Sequence, residues 1–373
     1  MGGTALRSFF DRLSRCLALA GRSDVAVVEC HAVEESGSLT LLTAGTDEAL
    51  QRAEDVLRDG SDKLLAFPGN PGNASKAYTV YRLLLGSHIA AAAEAIGLAA
   101  RAGLNTQQVY DIITNAAGSS RAFESRVPSM LEGDWSVKSS SLDACVRHMA
   151  PVVSAARAAN FSLPLGGAGE QLFISGCSQG YGADHDSGLV RLYLPTTPDL
   201  VRDCAKSVNL KEALTPGGSP LDISKIGVIG LGAMGQGMAT SLARAGFPVH
   251  GYDVFPQAVD RFAASGPNAK AAGSPSEAMR DADVVILMVQ NASQVDEVLF
   301  GPDNNADALS DGAVVILSST VPPSFTRELD AKLKALARGI WLVDAPVSGG
   351  VARAANGTLT VSLADAFTQH ALT

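Results

Sequence analysis

Residues 225–253 read KIGVIGLGAMGQGMATSLARAGFPVHGYD, and this stretch decides the fold. It begins with the mostly apolar run Ile226–Ile229, which is typical of a buried parallel strand. Three glycines follow in the spacing G-x-G-x-x-G, and the residues after them favour a helix. A second predicted strand ends on Asp253, which lies 18 residues after Gly235. This order of strand, glycine loop, helix, strand and acid predicts a dinucleotide-binding domain.

The glycine loop and the acid suit the parts of a dinucleotide. The first glycine allows a tight turn, the second lets the backbone approach the pyrophosphate, and the third lets helix and strand pack closely. The start of the helix offers N–H groups to the phosphates, and Asp253 can accept hydrogen bonds from the adenosine ribose. The alternatives are a structural glycine turn and a simple strand-end cap. The loop residues expected at the cofactor are Gly230, Leu231, Gly232, Ala233, Met234 and Gly235.

The residue after the acid bears on the choice of cofactor. Residue 254 is Val and not Arg, so a 2′-phosphate would face the Asp253 carboxylate without an adjacent guanidinium. We therefore expect NAD, with NADP the less favoured cofactor.

Composition excludes several classes of protein. The chain has 373 residues, which predicts two or three domains, and its net charge of −9 argues against nonspecific binding of nucleic acid. The five cysteines are widely spaced and form no C-x-x-C motif, so we expect no metal site and a cytoplasmic location. The apolar run Ile89–Ala100 contains Glu94 and is rich in Ala, which favours a buried helix over a membrane span.

The two halves of the chain differ in predicted secondary structure. We expect a remnant of a first dinucleotide-binding domain over 1–50, a mostly helical domain over 51–205, a linker over 206–223, and a truncated NAD-binding domain over 224–373. Strands and helices alternate in the last domain, which predicts a Rossmann-type doubly wound parallel sheet. The fold class is therefore α/β plus all-α, with the helical domain first. A long helix predicted over 74–102, with Asn73 as its N-cap, is typical of a helix buried on most sides or of a homodimer interface.

An internal repeat accounts for this order of domains. Asp24–Thr40 aligns with Asp344–Thr360 at an offset of 320 residues, with six identities in seventeen positions. Each segment ends on a Leu-Thr pair at a predicted strand. In the first segment the predicted strands are Val25–Val28 and Leu39–Thr43. The interpretation is that the chain holds the back half of one copy and the front half of a second copy.

Three motifs resemble the 3-hydroxyisobutyrate dehydrogenase, or β-hydroxyacid dehydrogenase, family. They are GLGAMG at 230–235, SST at 318–320 and DAPVSGG at 344–350. The resemblance implies the front half of that family's fold, which is like that of 6-phosphogluconate dehydrogenase, over residues 224–364. It implies the helical back half over residues 24–194. The order of the halves also resembles fused proteins with two such units, whose single-unit relatives include L-threonate dehydrogenases.

The resemblance also implies roles for single residues. In this family the Ser-Gly-Gly loop holds the substrate carboxylate, which implies Ser348, Gly349 and Gly350. The lysine at the start of the long helix is the general acid/base, which implies Lys76, and we expect partial burial to favour the neutral amine that accepts a proton. Further cofactor contacts are implied at Val289, Gln290, Gln294 and Thr320.

Some positions depart from the family pattern. Thr79 and Val80 stand where the family has Asn, and Arg147-His148 replaces a Lys-Asp pair. In the first copy, Val28-Glu29-Cys30 replaces the Ser-Gly-Gly loop, so that Glu29 would repel a substrate carboxylate. These departures weaken the case for catalysis by the first copy.

Two functions remain open from the sequence. The leading hypothesis is an NAD-dependent oxidoreductase that transfers hydride between the nicotinamide and a small hydroxy acid similar to threonate or 3-hydroxyisobutyrate. The alternative is a catalytically incomplete dinucleotide-binding or association module of a larger fused enzyme. Single residues also have plainer alternatives: Lys76 as a solvated surface lysine, Ser348–Gly350 as a tight turn, and Asp184–Asp186 as a helix cap, which we favour over a metal site.

Overall fold

The structure is a computed structural model that describes residues 27–35, 37–68, 72–137, 139–206 and 223–362. The first 26 residues, nearly all of the predicted linker and the residues from 363 onward therefore lie outside the described ranges. The chain forms two units. Unit 1 comprises Met1–Thr106 and Ser120–Ala205, and unit 2 comprises Gln107–Ser119 and Lys206–Thr373.

Unit 1 is mostly helical, as the sequence predicts, and also has a small mixed sheet. Its strands are β1 (Val28–Glu35), β2 (Ser38–Gly45) and β3 (Lys63–Pro68). Its helices are α1 (Asp47–Asp59), α2 (Asn73–Arg101), α4 (Arg121–Glu132), α5 (Leu142–Ala158), α6 (Pro164–Gly176) and α7 (Leu200–Ala205), with a 3-10 helix at Asp186–Tyr193; α3 (Thr106–Thr114) groups mostly with unit 2.

The small sheet has the order β1-β2-β3. β1 pairs with β2 in antiparallel register, with Val28 opposite Gly45, and β3 runs parallel to β2. The sequence predicts a strand that ends near Val28, but β1 begins there and continues as one long strand. The antiparallel partner explains the difference, because cross-strand pairing stabilises an extended segment beyond what its local pattern indicates.

Helix α2 forms the core of unit 1. Its buried face consists largely of Ala and Gly, so neighbouring helices approach its backbone closely. A Cβ atom added at Gly86 would lie 2.6 Å from Met149 Sδ on α5. By length and composition α2 could cross a membrane, yet half of its most apolar stretch is buried inside the protein, a property that core helices of soluble proteins share.

A buried ion pair joins α4 to the 3-10 helix. The carboxylate of Asp186 is fully buried and accepts hydrogen bonds from Arg126 Nε and Nη2, each at 3.2 Å. His185 caps the 3-10 helix, and Asp184 pairs with Arg191 at 2.6 Å. The side chains of the acidic cluster therefore make contacts within the fold, and no group of three or more His, Cys, Asp or Glu in the described ranges is placed to hold a metal ion.

Unit 2 contains six parallel strands in the order β6-β5-β4-β7-β8-β9, which confirms the predicted Rossmann-type sheet. The strands are β4 (Ile226–Ile229), β5 (Val249–Tyr252), β6 (Ala269–Ala271), β7 (Val284–Leu287), β8 (Val314–Leu317) and β9 (Trp341–Asp344), followed by the short antiparallel pair β10 (Val347–Ser348) and β11 (Thr360–Val361). The helices are α8 (Ala233–Arg244), α9 (Pro256–Ala263), α10 (Pro275–Met279), α11 (Ala292–Phe300), α12 (Pro323–Ala335) and α13 (Gly350–Asn356).

The central strands are apolar because both faces of the sheet are covered. β7 and β8 each read VVIL. Val285 and Leu287 belong to one buried core cluster, whereas Ile286 belongs to another, as expected when successive side chains point to opposite faces.

Helices α8 and α13 pack closely across a glycine. A Cβ atom at Gly237 would lie 2.8 Å from Ala354 Cβ, so that only a glycine allows this approach. Ser241 Oγ donates a hydrogen bond to the Ala354 carbonyl at 3.0 Å, and Arg244 Nη2 donates to the Ala355 carbonyl at 2.8 Å. The helix that follows the glycine loop is thereby joined to the helix that follows the Ser-Gly-Gly loop.

Candidate functional site

The glycine loop has the shape that the sequence predicts. Gly230 has φ +94°, and a Cβ there would lie 2.3 Å from the Met288 carbonyl oxygen. A Cβ at Gly235 would lie 1.9 Å from the Gly230 carbonyl oxygen, so packing excludes a side chain at the first and third glycines. A Cβ at Gly232, by contrast, would meet nothing within 4 Å. This open space lies at the N-cap of α8, where a phosphate group could approach the free N–H groups.

Asp253 lies beside this loop. Its Oδ2 accepts a hydrogen bond from the Leu231 N–H at 2.7 Å, and its Oδ1 accepts one from the Phe255 N–H at 2.9 Å. The Leu231 side chain itself is fully buried, so this residue presents only its backbone to the loop. Asp253 is half-buried, which leaves part of the carboxylate accessible to a ribose hydroxyl.

The remaining cofactor candidates follow β7, which lies next to β4 in the sheet, and β8, which lies next to β7. The Val289 N–H donates a hydrogen bond to Ser319 Oγ at 2.9 Å, and the Gln290 N–H donates to Gln294 Oε1 at 2.9 Å. Thr320 is exposed. These residues follow the carboxyl ends of β7 and β8, and the strand order reverses between β4 and β7. Ligands of open α/β sheets bind beyond the carboxyl ends of the strands at such a reversal.

Ser319 belongs to the SST motif, but the sequence predicts no role of its own for it. It is buried, accepts the Val289 N–H and donates to the Leu287 carbonyl at 3.3 Å, so it ties the end of β8 to the end of β7. Its position directly after an apolar strand, at the edge predicted to hold the cofactor, is the signal that could have found it.

The Ser-Gly-Gly loop follows β9 in unit 2. Gly349 has φ +132° and Gly350 has φ +72°, conformations that favour glycine, and a Cβ at Gly349 would lie 2.6 Å from Arg353 Cδ. Ser348 Oγ accepts a hydrogen bond from the Ala117 N–H at 3.4 Å, within the same unit. Asp344 begins the motif, and burial raises the pKa of its carboxyl group above the ordinary value.

Lys76 lies in the first turn of α2, in unit 1. Its Nζ donates a hydrogen bond to Asn73 Oδ1 at 3.3 Å, and its side chain lines an open concavity of about 350 Å³ together with Phe67, Ala77 and Val80. Partial burial would favour proton transfer by Lys76, but Lys76 is exposed, because the first turn of α2 buries Ala74 and not Lys76 against Leu42 and Ala44 of β2. A role for Lys76 at the cofactor of unit 2 stays a prediction.

The sequence also predicts Asn73 as the N-cap of the long helix, and this prediction is wrong. Gly72 is the N-cap, with φ +110° and no side-chain hydrogen bond of its own. The acceptor comes instead from Glu29 on β1, whose Oε2 accepts the Gly72 N–H at 2.6 Å. Sequence reasoning could not find this contact, because the two residues are 43 positions apart.

Both units match models of one group of dehydrogenases. Residues 225–366 match the NAD binding domain of 6-phosphogluconate dehydrogenase, and residues 72–193 match the family described as NAD-binding of NADP-dependent 3-hydroxyisobutyrate dehydrogenase. The two matches, which cover different parts of the chain, support a member of the β-hydroxyacid dehydrogenase family with a nicotinamide cofactor.

Several characterised relatives match part of the chain. An L-threonate dehydrogenase of Cupriavidus necator is 49% identical over 136 residues, which are 36% of this chain and 44% of the relative. The L-threonate dehydrogenase of Escherichia coli K12 is 37% identical over 158 residues, 42% of this chain and 52% of the relative. The mitochondrial 3-hydroxyisobutyrate dehydrogenase of Mus musculus is 38% identical over 135 residues, 36% of this chain and 39% of the relative.

A solved structure of a 3-hydroxyisobutyrate dehydrogenase from Salmonella typhimurium is 31% identical, with a TM-score of 0.45, and the match covers 49% of this chain and 64% of that one. In the sequence comparisons, the chain spans about half the length of the L-threonate dehydrogenases that it matches.

Proposed function

We propose that this chain is an NAD-dependent hydroxyacid dehydrogenase, or the part of one that binds the cofactor and the acid. The observation that carries the proposal is the open space at Gly232, flanked by the α8 N-terminus and the Asp253 carboxylate. Packing leaves no room for a side chain at Gly230 or Gly235, whereas a Cβ atom at Gly232 would project into open space that a ligand could occupy. The names of the relatives, L-threonate and 3-hydroxyisobutyrate dehydrogenase, support a small hydroxy acid as the substrate class.

NAD is our proposal for the cofactor, in preference to NADP. Asp253 is half-buried and accepts hydrogen bonds from two backbone N–H groups, so its position is fixed. A negative charge held there would repel a 2′-phosphate, and Val254 offers no compensating guanidinium. An NAD-dependent L-serine dehydrogenase of Pseudomonas aeruginosa is 41% identical to this chain over 138 residues. The cofactor in its name supports the proposal of NAD for this chain.

A bound nicotinamide would accept hydride from the carbon that carries the substrate hydroxyl group. The chain's own residues would do the rest. The N–H groups and hydroxyl of the Ser348–Gly350 loop would hold the acid group. The Lys76 amine would take the hydroxyl proton as the carbonyl forms, so that the alcohol loses a hydride and a proton in total.

The internal repeat belongs to the same proposal. We propose that the chain joins the back half of one dehydrogenase copy, over 24–194, to the front half of a second copy, over 224–364. Residues 1–50 would then be a remnant of the first cofactor domain, and residues 206–223 the linker. β2, α1 and β3 form a strand–helix–strand unit with parallel strands, which is the unit that builds a Rossmann sheet. The described part of unit 1 contains no further parallel strands of such a sheet, which supports this interpretation.

We further propose a cytoplasmic homodimer that forms through the helical unit and binds neither nucleic acid nor membrane. Val80, Leu84 and Leu98 on α2 are 59%, 54% and 69% exposed, and a second copy would cover them. The net charge of −9 supports the proposal that the chain does not bind nucleic acid. The burial of half of the most apolar part of α2 supports the proposal that it does not bind a membrane.

A catalytically incomplete dinucleotide-binding module is the second candidate. The exposure of Lys76 favours it, because a working proton-transfer site is expected to exclude water.

One experiment separates the two. NADH fluorescence titration of the purified chain is followed by turnover assays with L-threonate, 3-hydroxyisobutyrate and other small hydroxy acids. We expect NADH to bind, and turnover to be lost in Lys76→Ala but retained in Lys63→Ala, a lysine exposed on β3. Failure to bind NADH contradicts both candidates. If the intact chain binds NADH without turnover, and Lys76→Ala binds NADH equally well, the result favours the dinucleotide-binding module.

A further inference from the structure

The N-terminus of α2 lacks the features that usually cap a helix. The N-cap residue, Gly72, has no side chain with which to accept a hydrogen bond from the helix, and the first turn contains no acidic residue. A helix of this length leaves unpaired N–H groups and the positive end of its dipole at this point. Something else in the fold must satisfy them.

Glu29 does so from the adjacent strand β1. Its Oε2 accepts the Gly72 N–H at 2.6 Å, and its Oε1 accepts the Ser75 N–H at 2.9 Å together with the Ser75 hydroxyl. The residue is only 9% exposed. Burial by itself would raise the pKa of Glu29, but the hydrogen bonds from Ser75, Gly72 and His31 together lower it below the ordinary value. The group is therefore an ionised carboxylate fixed against a helix N-terminus.

His31 completes the cluster without turning it into a nucleophilic triad. Its Nε2 lies 3.2 Å from Glu29 Oε1 and 3.0 Å from Ser75 Oγ, and its ring stacks on Tyr78 at 4.6 Å between centroids. In a serine nucleophile's triad the acid and the hydroxyl bind opposite ring nitrogens. Here they share one, and Ser75 donates directly to Glu29. The cluster is built to hold Glu29 in place.

We propose that Glu29 is the positioning residue for Lys76. The inference rests on the proposed role of Lys76 in proton transfer. Two of the residues that Glu29 binds lie at the turn that carries this lysine: Ser75 precedes it directly, and the Gly72 carbonyl accepts the Lys76 N–H at 3.0 Å. Glu29 thereby sets the direction in which the Lys76 side chain leaves the helix.

The first test is independent of catalysis. Hydrogen exchange of the peptide that covers residues 72–76 is measured in the full chain, in Glu29→Gln and in Glu34→Gln, an exposed acid on the same strand. We expect exchange at least tenfold faster in Glu29→Gln, with the peptide over 86–100 unchanged and with Glu34→Gln equal to the wild type. Equal exchange in Glu29→Gln would overturn the proposal.

The second test asks whether the cap serves the lysine. Glu29→Gln is expected to lower kcat for hydroxy-acid oxidation at least tenfold while the Kd for NADH stays unchanged, and Glu29→Asp is expected to restore part of the loss. A cap that is merely structural would reduce stability and leave kcat unchanged in the folded protein. If Glu29→Gln does not fold, Ser75→Ala decides, because it keeps the carboxylate and its backbone bonds and should lower kcat by a smaller factor.

The outcomes distinguish this inference from the proposed function. An unchanged kcat in Glu29→Gln, or in Ser75→Ala where that variant decides, with an inactive Lys76→Ala, overturns the positioning role and leaves the proposed function intact. Wild-type turnover in Lys76→Ala overturns both the proton-transfer role of Lys76 and the positioning role of Glu29. In that case, faster hydrogen exchange of residues 72–76 in Glu29→Gln shows only that Glu29 caps the helix.

Discussion

The carboxylate of Asp253 accepts a hydrogen bond from the backbone N–H of Leu231 at 2.7 Å. The acid that ends β5 is thus joined to the loop that follows β4, the neighbouring strand. Because its other oxygen accepts the Phe255 N–H, the carboxylate is held between two segments of backbone. A group fixed in this way can discriminate between cofactors by charge as well as by hydrogen bonding.

Replacing that charge should change the cofactor preference. Asp253→Asn keeps an acceptor oxygen for the Leu231 N–H but removes the negative charge that a 2′-phosphate would face. We expect the ratio of Kd for NADPH to Kd for NADH to fall about tenfold, which corresponds to about 1.4 kcal/mol. Fluorescence titration with both cofactors measures the ratio. Asp260→Asn, at an exposed position on α9, is the control, and an equal change there would contradict the role of Asp253.

Two alanine substitutions in the glycine loop should have different effects. In Gly235→Ala the new Cβ would lie 1.9 Å from the Gly230 carbonyl, so the loop must move and the melting temperature without cofactor should fall by several degrees. In Gly232→Ala the Cβ meets nothing, so that temperature should be unchanged while NADH binding weakens at least tenfold. Calorimetry and NADH titration of both variants provide the comparison. Full NADH affinity in Gly232→Ala would mean that the open space is not the pyrophosphate site.

The Ser348 hydroxyl should matter for the acid and not for the cofactor. Ser348→Ala removes one hydrogen-bond donor from the loop expected to hold the carboxylate, a loss of about 1.5–3 kcal/mol for a bond to a charged group. We expect KM for the hydroxy acid to rise about tenfold or more, with the Kd for NADH unchanged. Steady-state kinetics measure the first quantity and fluorescence the second. Ser324→Ala, exposed on α12, should change neither.

The stability that Glu29 contributes should depend on pH in one direction. Its pKa is lower in the folded chain than its ordinary value, so the unfolded chain binds more protons as the solution is acidified. The contribution is therefore complete above the ordinary carboxyl range, about 4.3, and is lost as the pH falls through the folded pKa. Urea unfolding of the wild type and of Glu29→Gln should give a difference that shrinks on acidification. A difference that grows at low pH would contradict the assignment.

Removing one partner of the buried ion pair should destabilise unit 1 strongly. Arg126→Ala leaves the fully buried Asp186 carboxylate without its guanidinium, which typically costs about 3–5 kcal/mol. The free energy of unfolding from denaturant titration tests this value. Adding Asp186→Asn should recover part of the loss, since the amide is cheaper to bury than an unpaired charge. If the double variant is no more stable than Arg126→Ala, the unpaired charge is not the cause.

The sequence predicted the Rossmann sheet and the glycine loop because their signals are local. Apolar runs such as VVIL at 284–287, and glycines at fixed spacing, determine strand and loop within a few residues. The cap of α2 could not be predicted in this way, because Glu29 reaches Gly72 across 43 positions of chain. The exposure of Lys76 depends on which elements pack against the first turn of α2. The residues adjacent to Lys76 in the sequence do not determine those elements.

The aligned segments of the proposed repeat show how weakly such an alignment determines local structure. Residues 350–356, GVARAAN, form helix α13, whereas the aligned residues 30–36 read CHAVEES, and 30–35 lie in strand β1. Alanine favours the helix in the first case. In the second, pairing with β2 supplies an extended partner along residues 30–35. Tertiary contacts therefore decide between helix and strand at these positions.

The close packing of Gly237 on Ala354 has a kinetic consequence. Helix α8 starts at the cofactor loop and α13 starts at the acid loop, and their contact leaves no slack for one to shift without the other. A dinucleotide that seats at the start of α8 would fix α13 and with it the receptor for the acid. Occupancy of the first site should thus prepare the second, and initial-rate measurements should show a compulsory order in which the cofactor enters first and leaves last.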